Sequence, residues 1–206
     1  MNTLKYLALG DSYTIGEGVK IEENFPNQFV KIVKEDFDIS FETPEIVATT
    51  GWTTDELSVA IKERNISGSF DFVTLLIGVN NQYRNRDLEN FKQEFSELLK
   101  QAISFADMNY KRVVVLSIPD WGHTPYALEK GFDEQNVADQ IKKYNEIVLE
   151  VTLSEGVRFL DITTLSKTMA QEDRSNLTED GLHYSPAVYK EWAACLAGLA
   201  ANLFCV

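Results

Sequence analysis

The sequence predicts an α/β protein: a five-stranded parallel sheet in the order 2-1-3-4-5, with helices on both faces. Three observations carry this. Short apolar runs alternate strictly with longer stretches of helical periodicity, the arrangement that winds a parallel sheet through right-handed crossovers. The runs at residues 72–77 and 113–118 are apolar without period-2 alternation, as strands covered on both faces are. The runs at 46–48 and 157–160 are weaker, which places the second and fifth strands at the edges. In such a sheet a site lies beyond the carboxyl ends of the strands, near the switch point between strands 1 and 3.

Each element has its own signal. Residues 6–9 form the first apolar run, and helices fit around residues 25–34 and 54–64. Leu88, Phe91, Phe95, Leu98, Leu99 and Ala102 recur at the i, i+3, i+4, i+7 spacing of one helix face, and so do Val137, Ile141, Tyr144, Val148 and Val151. The last helix carries Val188, Trp192, Cys195, Leu196, Leu199 and Leu203 on one stripe. Its start is marked by Ser185 as N-cap and Pro186 at the first helical position. The longest irregular stretch is residues 119–134, and a connection of that length is more often functional than accidental. With 206 residues, the chain is expected to be one domain, 1–206, able to bury a core without staples.

Composition excludes several classes of function. Lys and Arg number 19 against 32 Asp and Glu, a formal charge of −13, which is wrong for nucleic acid and for an anionic membrane surface. No apolar run approaches the length of a bilayer span, so no membrane insertion is expected. Residues 1–9 lack the features of an export signal, so a cytoplasmic location is expected. Asn65-Ile66-Ser67 and Asn176-Leu177-Thr178 are accordingly read as accidental matches to a glycosylation sequon. Cys195 and Cys205 are ten residues apart on the last helix, roughly 15 Å, too far for a disulfide. Both are read as reduced thiols acting as small buried hydrophobes. Two histidines with no neighbouring ligand cluster give no metal site. No P-loop or Rossmann glycine fingerprint is present, so no cofactor is expected.

Chemistry concentrates at the strand ends. Strand 1 runs into Gly10-Asp11-Ser12, strand 2 into Thr50-Gly51-Trp52, and strand 3 into Gly78-Val79-Asn80-Asn81-Gln82-Tyr83. Thr178-Glu179-Asp180-Gly181-Leu182-His183 precedes the last helix. A serine hydroxyl is a poor nucleophile without an adjacent base. His183 has Asp180 three residues before it, a spacing that lets a carboxylate accept the imidazole Nδ1–H and leaves Nε2 free. His123 has no acid at that offset. Donors for a developing oxyanion are available from the Ser12 and Gly51 backbone and from the Asn80 side chain. Asp11 reads as a buried carboxylate bracing the Ser12 turn.

These four blocks, in this order and one per strand end, resemble the SGNH hydrolases, also called the GDSL esterase/lipase/acylhydrolase family. The resemblance runs from about Leu7 to the last helix, with the marker residues at Ser12, Gly51, Asn80 and His183 and the acid at Asp180. It implies a flavodoxin-like three-layer α/β/α sandwich and metal-free hydrolysis of a small-molecule ester or thioester. In that analogy Ser12 is nucleophile, His183 base and Asp180 its orienting acid, with Ser12, Gly51 and Asn80 as the oxyanion hole. Asn81 follows Asn80 where many members carry Asp, and Tyr184 follows His183 where Pro is frequent.

Candidates for substrate contact are Trp52, Asn81, Tyr83, Trp121 and Tyr126, with residues 119–134 expected to wall the acyl pocket. Arg84 and Arg86 read as a solvated turn. Two other classes of function compete: a flavodoxin-like cofactor-binding module, which leaves Asp180 and His183 without a role, and a catalytically idle scaffold, which the filled positions do not favour.

Overall fold

The computed structural model describes residues 3–66 and 68–204. Cys205, and Ser67 of the first sequon, lie outside the described residues. In chain order the elements are β1 (Tyr6–Gly10), α1 (Ser12–Ile15), α2 (Phe25–Phe37), β2 (Glu45–Ala48), α3 (Thr54–Arg64), β3 (Phe72–Leu76), α4 (Val79–Tyr83), α5 (Leu88–Phe105), β4 (Val113–Leu116), α6 (Pro125–Glu129), α7 (Glu134–Ser154), β5 (Arg158–Leu160), α8 (Thr163–Glu172) and α9 (Pro186–Phe204).

The strands form one all-parallel sheet in the order β2-β1-β3-β4-β5, as predicted. Register aligns Val47, Leu9, Leu75, Val115 and Phe159 in a row across all five strands. Every residue of β1, β3 and β4 is buried, whereas β5 is only half-buried, which matches the run strengths read from the sequence. α2 packs on α9 over one face, and α3, α5 and α7 pack in series over the other. All five strands therefore point their carboxyl ends at one rim.

The core below the α2 face is aromatic. Phe29 stacks on Phe72 at 5.0 Å and meets Tyr6 at 5.1 Å and Phe41 at 5.5 Å, with all four rings buried. Offset and edge contacts of this kind add to the area term that dominates burial of such rings.

Two local expectations need correction, and one helix was missed. Ser185 does not cap α9 with its side chain; its hydroxyl is buried without a partner, and its carbonyl receives the Tyr189 N–H instead. Cys195 is exposed, because the buried stripe of α9 runs through Val188, Tyr189, Trp192, Ala193, Leu196 and Ala197 and leaves position 195 on its flank. α8 was not visible in the sequence: it buries Ser166 and Ala170 rather than large apolar groups, and Ser166 Oγ accepts the Trp192 indole N–H at 2.9 Å. The stretch 119–134 also contains the short helix α6.

Phe29→Ala should cost about 3–5 kcal/mol, as removal of a fully buried ring does. Urea unfolding measures it; a loss below about 1 kcal/mol would mean that Tyr6, Phe41 and Phe72 close the cavity.

Candidate active site

β1 delivers Ser12 through a turn that requires glycine. A Cβ on Gly10 would lie 2.1 Å from Thr14 Oγ1 and 2.5 Å from the Leu76 carbonyl oxygen. Asp11 caps α1, its Oδ1 accepting the Tyr13 N–H at 3.1 Å. Ser12 opens the helix, so its own N–H is one of the first-turn amides with no intrahelical acceptor.

The segment before α9 closes on itself. Leu177 bridges Tyr184, the Thr178 N–H donates to the His183 carbonyl at 2.8 Å, and Gly181 adopts φ +66 at the tip. Inside this loop Asp180 Oδ1 accepts from Thr178 Oγ1 at 2.8 Å, from the Leu182 N–H at 2.8 Å and from the His183 N–H at 3.0 Å. Its Oδ2 lies 2.6 Å from His183 Nδ1, and His183 Nε2 lies 2.9 Å from Ser12 Oγ. Partial burial works to raise the Asp180 pKa, but the donors from His183, Leu182 and Thr178 outweigh it and hold the carboxyl down at about 2. An anionic Asp180 assigns the ring proton to Nδ1 and leaves the Nε2 lone pair facing the Ser12 hydroxyl. The arrangement can therefore take a proton from Ser12 as the oxygen attacks.

Gly51 sits at the end of β2 with φ +86, and its carbonyl is held by Arg84 Nη2 at 2.7 Å. Asn80, on α4, donates from Nδ2 to the Trp52 carbonyl at 3.0 Å, which fixes the carboxamide and leaves it a second N–H. Ser12, Gly51, Asn80 and His183 line one half-open cleft of about 150 Å³. Its apolar walls are Trp121, Tyr83 and Tyr126, together with Tyr13, Val79 and Leu182. The last three were missed in the sequence, although each is the chain neighbour of Ser12, Asn80 or His183. Thr178, which orients Asp180, carries no signal in the sequence.

Two candidate contacts stand elsewhere. Trp52 turns away from the cleft toward the outer side of α3, beside Asp55, Glu56 and Val59. Asn81 is buried and spent on structure: its Oδ1 accepts the Thr54 N–H at 3.1 Å and its Nδ2 donates to Thr54 Oγ1 at 2.7 Å. Neighbours on a helix of 3.6 residues per turn point about 100° apart, and on α4 Val79 and Asn80 line the cleft while Asn81 is turned to Thr54. Arg84 and Arg86 are not simply solvated; Arg84 pairs with Glu56 at 3.2 Å and Arg86 with Asp55 at 3.8 Å. His123 is not among the residues that line the cleft; both its ring nitrogens are buried and unpartnered among the described residues, and burial lowers its pKa. Asp120 pairs instead with Lys167 at 2.8 Å. Among the described residues no group of three or more His, Cys, Asp or Glu side chains could hold a metal ion, and no helix is long and apolar enough to cross a membrane.

Residues 8–191 match the profile of the GDSL-like Lipase/Acylhydrolase family. Among solved structures, a protein classed in the lipolytic G-D-S-L family from Desulfitobacterium hafniense DCB-2 superposes with a TM-score of 0.72 at 15% identity, covering 96% of this chain and 99% of that one. A lipase/acylhydrolase from Enterococcus faecalis gives 0.66 at 19% identity, covering 97% and 96%. The psychrotrophic esterase EstA from Pseudoalteromonas sp., in a structure inhibited by monoethylphosphonate, gives 0.69 at 11% identity, covering 98% and 99%. At these identities the likeness is one of fold. Comparison with curated proteins gives no match.

The buried Asp11 yields a stability test. Its Oδ2 has no partner among the described residues, and burial, against the Tyr13 hydrogen bond, raises its pKa from 3.8 to about 7. A folded pKa above the unfolded one contributes stability fully present below pH 4 and lost as pH rises through 7. At about 1.4 kcal/mol per unit the loss is on the order of 4 kcal/mol. Asp11→Asn keeps the cap acceptor and does not titrate, so its stability relative to wild type should rise between pH 4 and pH 8. Urea unfolding that gives the same difference at both pH values would contradict a buried neutral acid.

Proposed function

The chain belongs to the GDSL-like lipase/acylhydrolase family, and on that premise we propose that it is a serine ester hydrolase acting on carboxylic esters or thioesters of small to medium size. The observation that carries the reading is the continuous hydrogen-bonded line from Asp180 through His183 to Ser12, with links of 2.6 and 2.9 Å, opening on an apolar cleft. Ser12 Oγ attacks the acyl carbonyl as its proton passes to His183 Nε2. Asp180 stabilises the imidazolium and keeps the ring oriented. The oxyanion is received by the Ser12 N–H, the Gly51 N–H and the free N–H of Asn80, donors already fixed before reaction and so costing no reorganisation. His183 then gives its proton to the departing alcohol or thiol, and water releases the acid by the same path reversed. A cofactor-binding module finds less support, since Asp180 and His183 then have no task.

The test is hydrolysis of p-nitrophenyl esters with labelling by a fluorophosphonate. Ser12→Ala should lower kcat/KM by about four orders of magnitude or more and abolish the label. Asn80→Ala should lower kcat by roughly 100–1,000-fold and retain labelling at a reduced rate. A wild-type protein that neither turns over an ester nor takes the label at Ser12 would sink the reading.

A further inference from the structure

The cleft is bounded by parts of unequal rigidity. Trp121, its floor, is only 2% exposed, and its indole Nε1–H donates to Gln82 Oε1 at 2.8 Å. Gln82 is in turn held by Gln140 of α7 at 2.7 Å. The start of α6 is also anchored, because the Tyr126 N–H donates to the Gly181 carbonyl at 3.1 Å, inside the loop that carries Asp180 and His183. The floor cannot retreat without breaking a buried bond, nor the α6 backbone without breaking its bond to Gly181. The contact between Tyr83 and Tyr126 differs. The two phenols project from α4 and α6, both line the cleft, and their hydroxyls meet at 3.3 Å. Tyr83 is 44% exposed and has solvent to rotate into.

We propose that Tyr83 and Tyr126 form a latch across the cleft that restricts it to short acyl groups, and that longer chains enter only by parting the two hydroxyls. This rests on the ester-hydrolase reading above. The volume argues for it: the half-open cleft holds about 150 Å³, the size of an enclosed cavity that admits benzene, so its walls surround an acyl group of roughly four to six carbons. A longer chain must extend past these walls, and among these contacts the exposed hydroxyl pair of Tyr83 and Tyr126 is the least buried barrier, although both rings rest on Trp121. A neutral hydrogen bond between two hydroxyls is worth about 1 kcal/mol net, a factor of about five in a rate ratio. The latch therefore biases selection without forbidding longer chains.

The experiment compares kcat/KM for p-nitrophenyl octanoate and butyrate in wild type, Tyr83→Phe, Tyr126→Phe and the double variant. Wild type should prefer butyrate. Each single variant should raise the octanoate-to-butyrate ratio by about five-fold, and the double variant by no more than either single, because all three remove the same bond. A wild-type preference for octanoate, an unchanged ratio in the single variants, or a double effect equal to the product of the singles would overturn the latch. The relative rates at which ethyl and octyl fluorophosphonates label Ser12 give the same ratio without turnover. An active wild type with unmoved ratios rejects the latch alone. No turnover and no labelling rejects the ester-hydrolase reading, and the latch falls with it.

Discussion

The bond from His183 Nε2 to Ser12 Oγ joins residues 171 positions apart, and the rest of the structure is arranged so that it can form. One partner ends the first strand; the other ends the last connection before the final helix. Neither loop holds the other locally. Their meeting depends on α2 and α9 packing on each other, with Gln28 of α2 donating to the Pro186 carbonyl at the start of α9 at 2.9 Å. The buried rings of Tyr13, Tyr184 and Trp192 fill the space between, with centroids 5.5 to 6.3 Å apart. Large rigid rings fix a separation better than flexible aliphatic chains, because they have fewer rotamers to adjust.

The parallel sheet solves a second problem. Three loops that are distant in sequence carry the groups proposed to receive the oxyanion, and strands that all run the same way bring them to one cleft without further devices. Gly51 needs a positive φ, and Asn80 needs its carboxamide held on the Trp52 carbonyl. Each requirement is met within a few residues of a strand end. The costs are local and visible: a buried Asp11 oxygen without a partner beside Ser12, and a glycine at position 10 where a side chain would collide with Thr14.

The fold was legible because sheet order follows from which apolar runs are strongest, and burial of β1, β3 and β4 is what makes those runs strong. The polar residues of the site were legible because each stands at a strand end or in a short turn with little choice of direction. The pocket was not. Trp52 and Asn81 adjoin Gly51 and Asn80 in sequence, yet the one lies against α3 and the other is consumed in binding Thr54. Adjacency along a chain does not survive a helical turn. Val79 and Leu182, which also adjoin site residues, do reach the cleft, and nothing in their chemistry distinguishes them from Trp52 and Asn81. α8 escaped because a helix can bury serine and alanine, leaving no apolar period to detect.

Arg84 lies on α4's C-terminal boundary, four residues after Asn80, and grips both the Gly51 carbonyl and Glu56 of α3. A single exposed side chain thus braces the spacing between two of the groups proposed to receive the oxyanion. The brace stands in solvent, where mobile ions compete for it, while the groups it aligns face the cleft. The spacing of two inner groups is thereby tied to a side chain standing at the wet surface.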